Sequence, residues 1–244
     1  AGGSATINQT GNYAAINAGN GAIINWQSFN IGQGNTVQFF QPNANSRVLN
    51  RVTGSDPSKI AGTLLANGIV YIVNPAGVYF AHGSLVNVGG LYAAAGQITN
   101  ADFINNVNQF SNLAGAVENR GTINVGSGTA GLIGRQAANF GTINAPNGIV
   151  TMAAGSDVYI GEQGGQVFAR VSQPAASGPG GTGVTQAGQV NAAGGRVVFG
   201  AGDMYAVAID HPGSTKAKTS IAPMARIDGA TNMMNRSLAN HSAT

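Results

Sequence analysis

The sequence predicts an all-β fold: a right-handed parallel β-helix, or solenoid, with an N-terminal cap and extra-helical hairpins or loops. Three observations predict it. Short strand-forming runs recur, each closed by Gly or Asn. A four-residue motif returns after 20 residues, and helix formers are scarce.

Taken in chain order, residues 1–25 are expected to cap the solenoid, because a bare first coil would leave strand edge and apolar interior uncovered. Trp26, the single Trp, follows Ile23-Ile24 and is expected to anchor the core. Strand-forming runs rich in Val, Ile, Tyr and Phe then fall at Thr36–Phe40, Arg47–Val52, Ile69–Val73, Val78–Phe80 and Leu85–Val88, and at 149–152, 167–171 and 196–199. Asn67-Gly68 and Asn147-Gly148 are each either a corner or a hairpin turn. Gly121-Thr122-Ile123-Asn124 recurs as Gly141-Thr142-Ile143-Asn144, and more loosely as Gly188-Gln189-Val190-Asn191. Residues 172–187, rich in Gly, Pro, Ser and Thr, lie between the last two copies and form a loop inserted into one turn.

A period near 20 with about three short strands per turn fits coils stacked about 4.8 Å apart. At that period, once a cap and loops are allowed for, the chain is expected to supply nine or ten coils, a rod of roughly 45 Å. Residues 1–212 are assigned to the β-helix domain. From about 213 the pattern changes, with Lys216, Lys218, Arg226 and Arg236 beside Met233-Met234. Residues 213–244 are expected to be a last coil fading into a loosely ordered tail, where a longer protein was cut.

Composition narrows the function classes. Of 244 residues, 38 are Gly, 27 are Asn, none is Cys and 8% are charged. An ordinary globular chain is about 25% charged and about 7% Gly. The 43% apolar content separates this chain from a disordered linker. Gly and Asn both tolerate left-handed backbone, so their excess suggests many tight corners. The net charge of +3 comes from scarce acids, and the bases do not cluster, so no footprint for nucleic acid is present. The absence of Cys excludes a disulfide framework and a thiolate zinc site. His82, His211 and His241 are far apart, and no metal or cofactor is expected. No apolar run approaches the roughly 20 residues of a membrane-spanning helix. The first residues, Ala1-Gly2-Gly3-Ser4, carry no signal-peptide pattern and resemble a mature end.

Residues 20–96 carry a specific resemblance. They include Ile23-Ile24-Asn25-Trp26-Gln27-Ser28-Phe29-Asn30-Ile31-Gly32, then Phe40-Gln41-Pro42-Asn43, then Val48-Leu49-Asn50-Arg51-Val52-Thr53-Gly54. Further on come Pro57-Ser58-Lys59-Ile60-Ala61-Gly62, Leu65-Ala66-Asn67-Gly68, Asn74-Pro75-Ala76-Gly77-Val78 and Val86-Asn87-Val88-Gly89-Gly90-Leu91. In order and spacing they resemble the secretion domain of filamentous-haemagglutinin-type exoproteins, the exported partners of two-partner secretion systems. The haemagglutination activity domain is another name for this module. The resemblance implies a domain at the mature N-terminus of a long adhesin, haemolysin or toxin-delivery stalk. It also implies recognition in the periplasm by the POTRA domains of an outer-membrane barrel transporter, and folding seeded by the β-helix as the rest emerges. The product would be secreted from, or displayed on, a Gram-negative-type bacterium, and the domain is expected to be a monomer. Contact with a host cell would come through the downstream passenger. The family's Asn-Pro-Asn-Gly-Ile reads Asn74-Pro75-Ala76-Gly77-Val78 here, and its Asn-Pro-Asn-Leu has a partial counterpart in Gln41-Pro42-Asn43-Ala44.

The candidate recognition and folding residues are therefore Gln41, Pro42, Asn43, Asn50, Arg51, Asn74, Pro75, Ala76, Gly77 and Val78. Asn at the first position, Pro at the second and Gly at the fourth spell a type I turn. The second motif is thus either a plain corner between buried strands or a direct contact for the transporter. Arg51 is expected to point outward or to pair with a loop. Two other functions compete. One is an adhesive module binding host glycan or protein through residues 97–118 or 172–187. The other is a polysaccharide lyase or hydrolase, which needs stacked carboxylates; Asp157 and Asp203 are the one candidate pair. No nucleophile elbow or phosphate-binding loop is present, and no catalytic residue is assigned.

Overall fold

The computed structural model describes residues 3–163, 166–173, 183–201, 209–210 and 213–221. β1 (Ala5–Thr10) folds back antiparallel on β2 (Tyr13–Ala18) through Gly11-Asn12. From there the chain winds. β3 (Ala22–Trp26) follows β2, and an isolated bridge from Ile31 to Ile60 closes the first coil. The second coil is β4 (Thr36–Phe40), β5 (Arg47–Val52) and β6 (Ser58–Ile60). The third is β7 (Thr63–Ala66), β8 (Ile69–Val73) and β9 (Val78–Phe80). The fourth has β10 (Leu85–Val88) and β11 (Gly90–Ala94), departs through α1 (Asn100–Ile104) and β12 (Asn108–Phe110), and returns at β13 (Ala116–Asn119). The fifth is β14 (Thr122–Val125), β15 (Thr129–Gly134) and β16 (Gln136–Asn139). The sixth is β17 (Thr142–Asn144) and β18 (Ile149–Ala154), a second departure through β19 (Asp157–Gln163) and β20 (Gln166–Gln173), and β21 (Val184–Gln186). β22 (Gln189–Ala201) and β23 (Ile209–Asp210) make the seventh, and β24 (Ser214–Ile221) stacks on β22 to begin another.

Each strand pairs in parallel with its counterpart one coil away, which gives three faces. The first runs β2-β4-β7-β10-β14-β17 and then the start of β22. The second runs β3-β5-β8-β11-β15-β18 and then the rest of β22, and the third runs β6-β9-β13-β16-β21-β23. This is a parallel β-helix, as the sequence predicts. The sequence repeats stack in register: Ile123 pairs with Ile143, and Ile143 with Val190. Asn67-Gly68 and Asn147-Gly148 are both corners between parallel strands.

The described residues hold seven coils and part of an eighth, fewer than expected. The step from Ile123 to Ile143 is 20 residues, but that from Val86 to Ile123 is 37 and that from Ile143 to Val190 is 47. The surplus leaves the solenoid. β12, β19 and β20 form an antiparallel three-stranded sheet outside the coils, so 167–171 belongs to a hairpin, not to a coil. The expected loop at 172–187 is narrower on both sides, because β20 reaches Gln173 and β21 is back on the third face; residues 174–182 lie outside the described residues. From 213, where a last coil fading into a tail was expected, β24 stacks in parallel on β22 as far as Ile221; residues 222–244 lie outside the described residues. The segment outside the coils is smaller than the expected cap of 1–25: β1 alone precedes them, since β2 and β3 already stack in parallel on β4 and β5.

Alternation along the strands fills two cores. Inward side chains such as Val48, Val52, Leu64, Val70, Ile72, Val86, Ile123 and Ile143 form the interior of the rod. Outward side chains of the second face, among them Leu49, Tyr71, Tyr92, Ile133 and Val198, form a second core beneath the departing segments, with Ile98, Phe103, Phe110, Leu113, Val158 and Ile160.

The Gly excess has a different cause from the one composition suggests. Among the described glycines only Gly11, Gly21, Gly34, Gly77 and Gly83 have positive φ. Ten others stack in columns where successive corners touch. Before the first face the column is Gly62, Ser84, Gly121, Gly141, Gly188 and Gly213; before the second it is Gly68, Gly89, Gly128, Gly148 and Gly195. A Cβ on Gly141 would overlap the carbonyl oxygen of Gly121, and one on Gly195 that of Gly148. Glycine is needed for closeness of approach more than for handedness.

Candidate functional site

Asn74 to Gly77 form the corner between β8 and β9. The Gly77 N–H donates to the Asn74 carbonyl at 3.0 Å, which closes the turn, and the Asn74 Oδ1 accepts from the Ala76 N–H at 3.0 Å. The Asn74 Nδ2 reaches down one coil, donating to the Asp56 carbonyl at 3.0 Å and the Ser58 Oγ at 3.1 Å. From the coil above, Gly115 packs on the Pro75–Gly77 backbone so closely that its own Cβ would lie 2.7 Å from the Pro75 carbonyl oxygen. Asn74 and Val78 are fully buried; Pro75 and Ala76 are half-buried. Asn74 thus spends its amide on joining coils.

Gln41 plays the same part at the corner before the second face. Its Nε2 donates to the Ser46 carbonyl at 2.7 Å, and its Oε1 accepts from the Gly68 N–H at 3.2 Å. Its backbone exchanges two bonds with the Asn67 side chain, at 2.8 and 2.7 Å. Pro42, Asn43, Ala44 and Asn45 bulge outward and are exposed, with the Asn43 Oδ1 accepting from the Asn45 N–H at 2.9 Å. Asn50 faces the apolar interior, where its Oδ1 accepts from the Trp26 Nε1 at 3.0 Å and its Nδ2 donates to the Tyr71 carbonyl at 3.1 Å. Trp26 closes the bottom of the core, its ring 5.4 Å from that of Phe29.

Arg51 points outward from β5 and donates to the Ile98 carbonyl at 2.9 Å; burial lowers its pKa. Its neighbour on the same side, Arg47, was not singled out by the sequence. The Arg47 guanidinium donates to the Phe103 carbonyl at 2.9 Å and the Asn106 Oδ1 at 2.8 Å, and lies 5.5 Å from the centre of the Phe103 ring. It therefore caps the last turn of α1. Beneath α1 the Tyr71 and Tyr92 rings stack at 4.6 Å, with Phe103 edge-on to Tyr71 at 5.1 Å. Asn108 joins both phenols, accepting from the Tyr71 hydroxyl at 2.8 Å and donating to that of Tyr92 at 3.3 Å. Burial raises both phenol pKa values.

The candidates do not converge. Gln41 to Asn43 and Asn74 to Val78 sit at opposite ends of β8, at two different corners of adjacent coils. What they share is work between coils. A further set does the same higher up: the Asn119 Nδ2 donates to the Asn139 Oδ1 at 2.8 Å, and the Asn139 Nδ2 to the Gln186 Oε1 at 2.8 Å, all three fully buried. Sequence reasoning missed this ladder, although its signal was present: each amide stands two residues before the Gly that opens a repeat. Of the carboxylate pair, Asp157 begins β19 opposite Gln173 in the outer sheet, and Asp203 lies outside the described residues. Among the described residues no three His, Asp or Glu side chains gather as metal ligands, and no helix is long and apolar enough to cross a membrane.

A stacked solenoid whose polar corner residues are turned inward to couple its coils defines a structural module of the parallel β-helix kind. A family model described as the TPS secretion domain matches residues 2–237, and the chain belongs to that family, the secretion domains of two-partner exoproteins. The chain is similar to a protein named heme/hemopexin-binding protein from Haemophilus influenzae strain Rd, 54% identical over 70 residues, which are 29% of this chain and 8% of that protein. A second protein of that name from Haemophilus influenzae is 43% identical over 90 residues, 37% of this chain and 10% of that one. The matched segments thus span a tenth or less of these relatives. Among solved structures, the HMW1 secretion domain from Haemophilus influenzae superposes with a TM-score of 0.73 at 31% identity, covering 81% of this chain and 53% of that one.

Proposed function

We propose that this chain is the part of a longer exoprotein that its outer-membrane transporter recognises in the periplasm, through POTRA domains, and that its coils seed the folding of the downstream passenger. It acts as a single copy, and the parent protein passes through the periplasm and outer membrane to the cell surface or the medium. The family match over residues 2–237 carries the first half of this reading. The second half rests on physics: each coil bonds only to its neighbours, so a finished coil is a template for the next, and stability accumulates with length. No nucleotide is needed for such a drive, because the free energy comes from burial and strand pairing as chain arrives.

On this reading the two corner motifs divide the work. Asn74 and Gln41 act on recognition through the shape they lock, while the exposed peptide at 42–45 is the part of the motifs free to be touched. The test is export of the parent exoprotein in cells carrying its transporter. Deleting residues 3–96 should leave it in the periplasm, where it is degraded, and the 244-residue chain should bind the purified transporter. Export at the normal level without residues 3–96, or no binding to the transporter, overturns the reading.

A further inference from the structure

β1 is the outermost strand of the first-face sheet and pairs only with β2. All six of its residues are exposed, Ile7 to 49%. The two-residue turn at Gly11-Asn12 makes Thr10 and Tyr13 a bonded pair, and the Gly19 N–H donates to the Ser4 carbonyl at 2.8 Å, so the even-numbered residues face β2. The backbone N–H and C=O of Ala5, Ile7 and Gln9 point the other way. Among the described residues nothing pairs with them.

Exposed edges are ordinarily blunted by Lys, Pro, bulges or a covering segment. β1, with the sequence Ala-Thr-Ile-Asn-Gln-Thr, has no charge and no Pro, and its six residues pair with β2 without a bulge. β24, by contrast, carries Lys216 and Lys218 on its exposed positions.

We infer that β1 is the element the transporter grips: its free edge takes up an extended strand of the transporter's periplasmic region, antiparallel or parallel, through the backbone groups of Ala5, Ile7 and Gln9. This rests on the transporter reading above and adds the contact to it. Apart from water, a row of backbone groups at this spacing is matched only by another extended chain. A second copy of this chain is the poorer occupant, because one six-residue edge buries far less than the roughly 1,000 Å² a lasting dimer needs. An export contact, by contrast, has to let go.

The test uses the 244-residue chain and the intact transporter in lipid nanodiscs. Gln9→Pro removes one outward N–H and no bond to β2, and edge positions of this kind accept Pro. It should weaken binding about tenfold, while Gln9→Ala, which keeps the N–H, stays within about twofold. Amide exchange read on the wild-type complex is independent of any variant's folding. The amides of Ala5, Ile7 and Gln9 should become protected, adding to the existing protection at Thr6, Asn8 and Thr10. Free exchange at those three amides in the complex, equal binding by Gln9→Pro, or protection that grows with chain concentration in the absence of transporter overturns the inference. The first two of these results leave the transporter reading standing. No wild-type binding removes both.

Discussion

The coils of residues 20–96 and those of residues 116–191 have the same three-faced cross-section, but they are fastened differently. In the early coils each junction has its own bolt: Gln41 at one corner, Asn74 at another, Asn50 with Trp26 inside, and Arg47 and Arg51 reaching out to the departing segment. In the later coils the fastening is translational. Asn119, Asn139 and Gln186 form one ladder, Asn124 and Asn144 pair on the outer face at 2.9 Å, and the glycine columns run on beneath. A bolt is a single-site commitment with nothing above or below to replace it. A ladder shares its load with the next rung and can be exchanged as a unit.

The sharpest way to break this contrast is Asn139→Ala. It removes the middle rung and strips buried bonds from both Asn119 and Gln186, so the expected loss is about 4 kcal/mol in urea unfolding. Replacing Asn119, Asn139 and Gln186 together with Leu leaves backbone groups such as the Gly121 N–H without a partner, but it should cost less than the three single losses added together, because each shared rung would otherwise be counted twice. A loss in the triple variant equal to that sum or greater breaks the ladder description. Next comes Asn74→Ala, expected to cost about 3 kcal/mol, since the Ala76 N–H and the Ser58 hydroxyl lose their buried partner. Asn74→Asp keeps the acceptor for Ala76 but loses both donors and should recover little.

A smaller effect is expected from the columns. Gly148→Ala forces a Cβ against the Gly128 carbonyl and should cost about 2 kcal/mol, whereas Gly126→Ala meets nothing within 4 Å and should be neutral or stabilise by up to about 1 kcal/mol. Comparable midpoints for the two variants would show that approach distance is not what demands glycine. The smallest effect is local. Arg47→Met uncaps α1, and hydrogen exchange should speed by about tenfold at 98–107 while amides of β14 to β18 are unchanged.

The later coils were legible because translation is visible in sequence: Gly121 to Asn124 and Gly141 to Asn144 lie in register as their letters suggest. The early coils were legible through family resemblance and hardly at all through period, as bolts do not repeat. The pairing of Arg51 with a loop was foreseen, yet Arg47, four residues earlier on the same face, was not, because its partners lie 56 and 59 residues away. The outer sheet was hidden for the same reason. β12 meets β19 across some fifty residues with no repeat relation between them, and 167–171 has the composition of any coil strand. The two possible readings of Asn67-Gly68 and Asn147-Gly148 were settled only by stacking, since a corner and a hairpin ask for the same two residues.

Both departures leave the second face, after Ala94 and after Ala154, and the chain is back on the third face at Ala116 and at Val184. The coil between them crosses that junction with Arg135 alone, from Gly134 to Gln136. One vertex of the triangle therefore accepts anything from a single residue to a whole subdomain while the pitch of the rod stays constant. Length variation among such proteins is expected to gather at that vertex, and an epitope or a fluorescent label grafted there should ride along without disturbing the winding.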